Sequence, residues 1–191
     1  MLTKKAKTLE TIVYMVLLFF TGCFVGWLWE IITYMSFHGD WNVVNLILHL
    51  RGVLHGPWVP LYGFGCVLLV AIREIVHKKV LLCFVCGTLA CGLMEYGTSY
   101  VLETAFGAKW WDYSTKFLNL HGRVYAGGLL FFGLAGVLVA FLVEPALHKC
   151  LRKVPQNLKT IAFVILVVLF LADVIFSIKS PNTGLGVQVA G

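Results

Sequence analysis

The stretch LKTIAFVILVVLFLADVIFSIK, residues 158–179, carries a single charge, Asp173, between its flanking lysines. About 20 consecutive apolar residues are what a helix needs to cross a hydrocarbon layer of ~30 Å. Four further runs come close to or exceed that length, and the spans read from hydropathy are 11–37, 60–76, 80–103, 124–147 and 158–178. Only 13% of the residues are charged, about half the share usual in soluble domains. The chain is therefore read as an all-α integral membrane protein with about five transmembrane helices, embedded in the lipid bilayer of the cell membrane. With so little chain left outside the spans, no soluble catalytic domain is expected.

The formal net charge of +6 does not point to nucleic acid, because the basic residues sit in short loops beside apolar runs. Ten of them (Lys4, Lys5, Lys7, Arg73, Lys78, Lys79, Lys149, Arg152, Lys153, Lys159) fall on one side of the spans. The other five (Arg51, Lys109, Lys116, Arg123, Lys179) fall on the opposite side. The excess of positive charge inside predicts a cytoplasmic N-terminus and an outer C-terminus. The lysines before the first apolar run resemble the start of a signal peptide. That run, however, continues well past a signal core and lacks a convincing A-x-A site, so a retained first helix is expected.

Two outer segments fit neither a span nor an ordinary loop. The segment 41–50, WNVVNLILHL, is short and apolar, and 109–123 contains KWWDYS. Both are expected to be interfacial or re-entrant and to pack over or into the bundle, since unpaired backbone survives at membrane depth only when covered by protein or lining a wet cavity. Residues 1–178 form one membrane domain in this reading, and the tail 179–191 is expected to be disordered.

The two halves of the domain share a pattern. LILHLRGVLHG (46–56) and LNLHGRVYAGG (118–128) align at an offset of 72, Leu28-x-Glu30-x-x-Thr33 aligns with Leu93-x-Glu95-x-x-Thr98 at 65, and Glu74 with Glu144 at 70. This predicts a parallel internal repeat, 12–77 and 80–148, followed by a fifth helix at 158–178.

Helical spacing collects small residues below and polar residues above on one face of each repeat's first span. The faces are Cys23, Gly26, Glu30, Thr33 and Tyr34 in one, and Cys91, Gly92, Glu95, Thr98 and Ser99 in the other, with Glu103 at the edge. At 1.5 Å per residue, Glu30 and Glu95 lie roughly 20 to 28 Å from the cytoplasmic ends, and Asp173 at a similar depth. An ionised carboxylate near the bilayer centre costs about 2.5 to 3.5 kcal/mol even on lenient scales, so these acids should face the interior, pair with a cation, or be protonated. Glu30, Glu95, Arg51 and Arg123 are therefore candidates for a polar site opening outward, joined by Asp112, Asp173 and Glu103. Trp110, Trp111 and Tyr113 are candidates for an interfacial anchor, with Asp112 capping a short helix or bonding Ser114 or a nearby backbone amide, or for a lid over the polar site, with Asp112 pairing with Arg51 or Arg123. The run GVLHGPWVPLYGFG (52–65) is read either as a broken helix offering backbone groups to a ligand or as a turn with proline in the first helical turn.

Other motifs have packing readings. Cys83-x-x-Cys86 lies in LLCFVCGTLACG, where small residues recur every four positions as at close helix contacts. Two cysteines supply half of a structural zinc shell, so no metal and no cofactor are expected. His49 and His121 are read as interfacial. Glu74 and Glu144, near Arg73 and His148, mark the inner interface.

RGVLHGPWVPLYGFG, LMEYGTSYVLE, and WWDYS followed by NLHGR together resemble the membrane family called putative ABC-transporter type IV, or CmpB-like, over about residues 20–145. The family pattern has N-R-G where this chain has Leu50-Arg51-Gly52, and a serine and W-G where it has Gly127, Gly128 and Phe132-Gly133. The resemblance implies a compact, multi-pass bacterial protein assigned to transport. The chain has no G-x-x-x-x-G-K-[ST], so ATP hydrolysis would come from a separate ATPase or other subunit. The leading expectation is a transport or substrate-binding membrane subunit for an unidentified small polar molecule or lipid headgroup. The alternatives are an embedded enzyme acting on a lipid, which lacks H-E-x-x-H and G-x-S-x-G, and a non-catalytic assembly partner or sensor, which Gly22-x-x-x-Gly26 would suit.

Overall fold

A computed structural model describes residues 4–38, 52–184 and 187–189. Its helices are α1 (Lys4–His38), α2 (Pro60–Ile75), α3 (Val80–Phe106), α4 (Ala126–Leu151) and α5 (Gln156–Lys179). Two-residue strands β1 (Ala108–Lys109), β2 (Asn119–Leu120), β3 (Val124–Tyr125) and β4 (Gln188–Val189) complete the described elements. The protein is an all-α membrane fold. Four of the helices, α1, α3, α4 and α5, are long and apolar enough to span a bilayer. The fifth expected span, α2, has 16 residues and rises about 24 Å at 1.5 Å per residue. The expected segment 41–50, with His49 and Arg51, lies outside the described residues.

The distribution of side chains is that of a protein dissolved in lipid. Val164, Val168, Leu171 and Ile175 on α5 are exposed, while the interior holds Cys23, Cys83, Ala140, Glu95, Ser99, Glu144 and Ser177. Water would not tolerate so continuous an apolar surface on a monomer. Lipid gives apolar side chains no reason to bury, so close packing and polar contacts must hold the helices together.

Small residues provide the close packing. A side chain on Gly22 would meet Cys66 Sγ at 2.8 Å and the Gly63 backbone at 3.0 Å, and one on Gly26 would collide with the Tyr62 ring. Gly22-x-x-x-Gly26 is thus spent on the α1–α2 contact inside the bundle. Cys83 packs with Ile72 and Ala140. The α3–α4 contact repeats the α1–α2 contact: Gly63 sits on Phe19 and Cys23, and Gly133 sits on Phe84 and Thr88. The α1 and α3 positions differ by 65 and the α2 and α4 positions by 70, the offsets read from the sequence.

Toward its C-terminal end α4 contains a π turn, Val139–Val143, separated from Pro145 by Glu144. The amide of Glu144 reaches back to the Val139 carbonyl, and Pro145 has no N–H to donate. The Ala140 carbonyl is bonded instead by the Arg73 guanidinium. Arg73 also pairs with Glu144 at 2.7 Å and Glu74 at 2.8 Å. Tyr14 donates to the other Glu144 oxygen at 2.5 Å, and its ring meets His148 edge-on at 4.7 Å.

The described residues of the tail pack back against the bundle. β4 pairs antiparallel with β1, Ala108 opposite Val189 and Lys109 opposite Gln188. The Asn182 amide donates to Val53 O at 3.0 Å, and Trp110 Nε1 donates to Asn182 O at 3.0 Å. These backbone partners exist only once the two outer loops are folded.

Candidate functional site

A cavity of about 530 Å³ lies where α1, the start of α2, α3 and the segment between α3 and α4 converge. Glu30, Glu95 and Thr98 form its walls, Tyr62 and Phe132 its inner end, and Trp110, Trp111, Asp112 and Tyr113 its cover. A smaller, almost wholly apolar slot of about 100 Å³ adjoins it through Leu61, Tyr62, Glu95 and Phe132. The slot is bordered on α2 by Leu61, Tyr62, Gly65, Cys66 and Leu69 and on α4 by Phe131, Phe132, Ala135, Gly136 and Val139. Each α2 residue has its α4 counterpart at an offset of 70.

Both of these glutamates accept phenol hydrogen bonds. Tyr62 Oη donates to Glu30 Oε1 at 2.6 Å, and the Tyr113 hydroxyl bonds the Glu95 carboxyl. Glu95 is 4% exposed. Burial, then the charges of Glu95 and Glu30, push the Tyr113 phenol above its ordinary value, so it keeps its proton and remains a donor. Tyr62 is the site residue that residue-by-residue reading missed. The signal was available in its offset of 70 from Phe132, the other ring at the inner end.

The cover is a knot tied by the residues of WWDYS and N-x-x-GR. Asp112 accepts from the Ser114 amide at 2.8 Å and from its hydroxyl, the first of the two expected roles. Those two bonds hold the Asp112 carboxyl below its ordinary value. The Asn119 side chain bonds Ser114 O, Lys116 O and the Gly122 amide. Gly122 has φ of 68°, and a side chain there would press on Asp112 Oδ1 at 2.5 Å, so the turn requires glycine. Trp111 Nε1 donates to Arg123 O at 2.9 Å, and Trp110 is 5% exposed. Both tryptophans pin the cover to its neighbours.

The remaining candidates lie elsewhere. Arg123 packs along α3 one to two turns beyond Glu95, 2.6 Å from Glu103 and 3.1 Å from the Ser99 hydroxyl, over the rings of Tyr96 and Tyr100. Lys109 stands 4.0 Å from both Glu103 and Asp112. Among the described residues, the cation beside Asp112 is thus Lys109 rather than Arg123. His121 bonds the Tyr96 hydroxyl at 2.8 Å. Asp173 takes the amides of His55 (3.1 Å) and Gly56 (2.7 Å), Trp58 Nε1 (2.7 Å) and the Ser177 hydroxyl (3.0 Å). Two backbone amides of the 52–65 run are therefore satisfied by α5, and α2 starts at Pro60 in its first turn. Among the described residues, no group of three His, Cys, Asp or Glu is placed to hold a metal ion.

The knot yields a prediction with a sign in pH. Asp112→Ala removes an acceptor of two bonds, worth about 1 kcal/mol as in other side-chain caps. Faster proteolysis within 107–125, with unchanged melting of the bundle, is the expected result. The carboxyl is depressed in the folded state, so its contribution is present above the ordinary aspartate range and lost as pH falls through the lowered value. Protease resistance of the cover in the wild type should fall with it.

Residues 17–178 match the family described as "Putative ABC-transporter type IV". No curated protein matches the chain. No solved structure matches it.

Proposed function

Taking as premise that the chain belongs to the putative ABC-transporter type IV family, we propose that it is the substrate-binding membrane component of a transport system powered by a separate polypeptide. The observation that carries this reading is the cavity and slot lined by counterpart residues of two halves: Glu30 with Glu95, Tyr62 with Phe132, Cys66 with Gly136. A site on the seam between repeats is where a parallel-repeat transporter holds its substrate, and its volume falls within the usual few hundred Å³ for small ligands. The doubled glycine crossings support the duplication. The distribution of basic residues supports a cytoplasmic N-terminus, which places the cavity on the outer side and the Arg73–Glu144 pair on the inner side.

The test is uptake by the purified protein reconstituted in liposomes, offered pooled metabolites and an energised partner fraction. Glu95→Gln should keep wild-type expression and melting but lower uptake at least about tenfold, the scale of one lost charged contact. Chemical modification of a metabolite without uptake would instead establish an embedded enzyme. Loss of folding in Glu95→Gln would make the acid structural.

A further inference from the structure

The class of substrate, on the transport reading from which it follows, is set by the slot rather than by the charges of the cavity. The slot follows α2 from Leu61 to Leu69 and α4 from Phe131 to Val139, about 12 Å at 1.5 Å per residue. Among the described residues, Tyr62 and Glu95 are the slot-lining side chains that carry oxygen, and both also line the cavity. Cys66 and Cys91 act there as small hydrophobes. Cavity and slot are thus one space, polar at one end and apolar at the other.

Gly65 indicates that the protein's own side chains do not fill the apolar end. A side chain on Gly63 would run into Cys23, and one on Gly133 into Thr88. Among the described residues, one on Gly65 would meet only Met94, at an ordinary 3.6 Å. Apolar space of this kind stays dry, and its walls forfeit contacts until apolar atoms enter. The surrounding medium consists of such atoms. Phe131 borders the slot and is 43% exposed, and Trp29 of α1, 40% exposed, stacks on it at 5.2 Å. An alkyl chain can therefore pass from the bilayer into the slot beside this ring pair without crossing water. A water-soluble solute would leave the slot unused.

We propose that the substrate is a bilayer lipid, one alkyl chain of which enters from the membrane beside Trp29 and Phe131 and lies along the slot. Its headgroup occupies the cavity under the 109–123 cover, and any second chain stays in the bilayer. The proportions fit: the slot of about 100 Å³ is narrow, and the cavity of about 530 Å³ beside it is wide.

The experiment places the full-length protein in phosphatidylglycerol nanodiscs doped with phosphatidylglycerol or phosphatidylethanolamine that carries a diazirine on one acyl chain. After illumination the labelled residues are identified by peptide mass spectrometry. A diazirine at the chain end should mark Leu69 or Val139, and one near the headgroup should mark Tyr62 or Phe132. Slot labelling should saturate as the probe fraction rises, while labelling of the exposed Leu134 and Val168 rises in proportion. Gly65→Leu fills the slot from α2 and should lower slot labelling at least about tenfold without changing that of Val168. Ala135→Leu fills it from α4 and serves should Gly65→Leu not fold. Phe131→Ala should speed labelling by opening the mouth. Labelling confined to lipid-facing residues overturns the lipid class, as does slot labelling that both filling variants leave unchanged or a reversed order of depth. Uptake of a water-soluble metabolite in the liposome assay would then still sustain the transport reading. Saturable slot labelling without uptake of any metabolite or movement of the labelled lipid between leaflets keeps the lipid site and removes transport.

Discussion

Asp173→Ala is expected to lower stability by about 3 to 5 kcal/mol and to release the 52–59 loop from the bundle. One carboxylate there accepts four donors: two loop amides, an indole N–H and a hydroxyl from its own helix. Hydrogen bonds to a charged group contribute about 1.5 to 3 kcal/mol each, and donors left buried without a partner cost comparable amounts. The full sum is not expected, because the loop lies at the end of the bundle, next to the start of α2, and its amides regain water once it lifts. Asp173→Asn should fall between, since its amide nitrogen faces donors where a second acceptor is needed. The check is thermal melting in detergent, combined with a red shift of Trp58 emission in a variant retaining that tryptophan alone. Wild-type melting in the alanine variant would show that the loop is held by other contacts.

Arg73→Ala should be of similar size, about 3 to 5 kcal/mol, for a different reason. Breaking an ion pair whose partners are mostly buried leaves an uncompensated charge, here on Glu144, whose side chain is 8% exposed. Arg73 also serves the Ala140 carbonyl, the acceptor displaced when α4 adopts its π turn before Pro145. That part of the loss is separable. In a Pro145→Ala background the new N–H can take the carbonyl, so the Arg73→Ala penalty should shrink by about 1 to 3 kcal/mol, the cost of one buried orphan. A double-mutant cycle measured by melting would read that coupling. Additive penalties would mean that the guanidinium acts through its charge alone.

These two variants bear on opposite ends of the bundle. Asp173 ties α5 to the loop that precedes α2, beside the cavity. Arg73 ties α2 of the first half to α4 of the second below the slot, and the cavity lies between the two ties. On the transport reading proposed above, with the halves moving relative to each other, the Arg73–Glu144 pair is a described contact between them that would have to open.

Much of the architecture was legible in the chain itself. Apolar length alone reports a helix that must satisfy its backbone internally, and this holds whatever the neighbours are. The offsets of 65 and 70 are also local information, and Gly63 on Phe19 and Gly133 on Phe84 show them recurring as physical contacts. Glu30 and Glu95 were identifiable because an ionisable group in an apolar helix is costly wherever it faces.

The partners of those charges were not legible, because polar groups at membrane depth take whichever donor folding brings within about 3 Å, and sequence spacing carries no such distance. Arg123 was read as a cation of the polar site or a partner of Asp112, yet it is held by Glu103 and Ser99, while Tyr113 takes Glu95. Asp173 had the depth of a site residue and is spent on backbone amides 117 and 118 positions away. The length and grease of the helices, the buried acids and the echo between halves belong to the sequence alone. Which face each acid shows, what covers the cavity and which cation is already engaged were decided by the tertiary structure, because only packing sets the distances on which charge pairing depends.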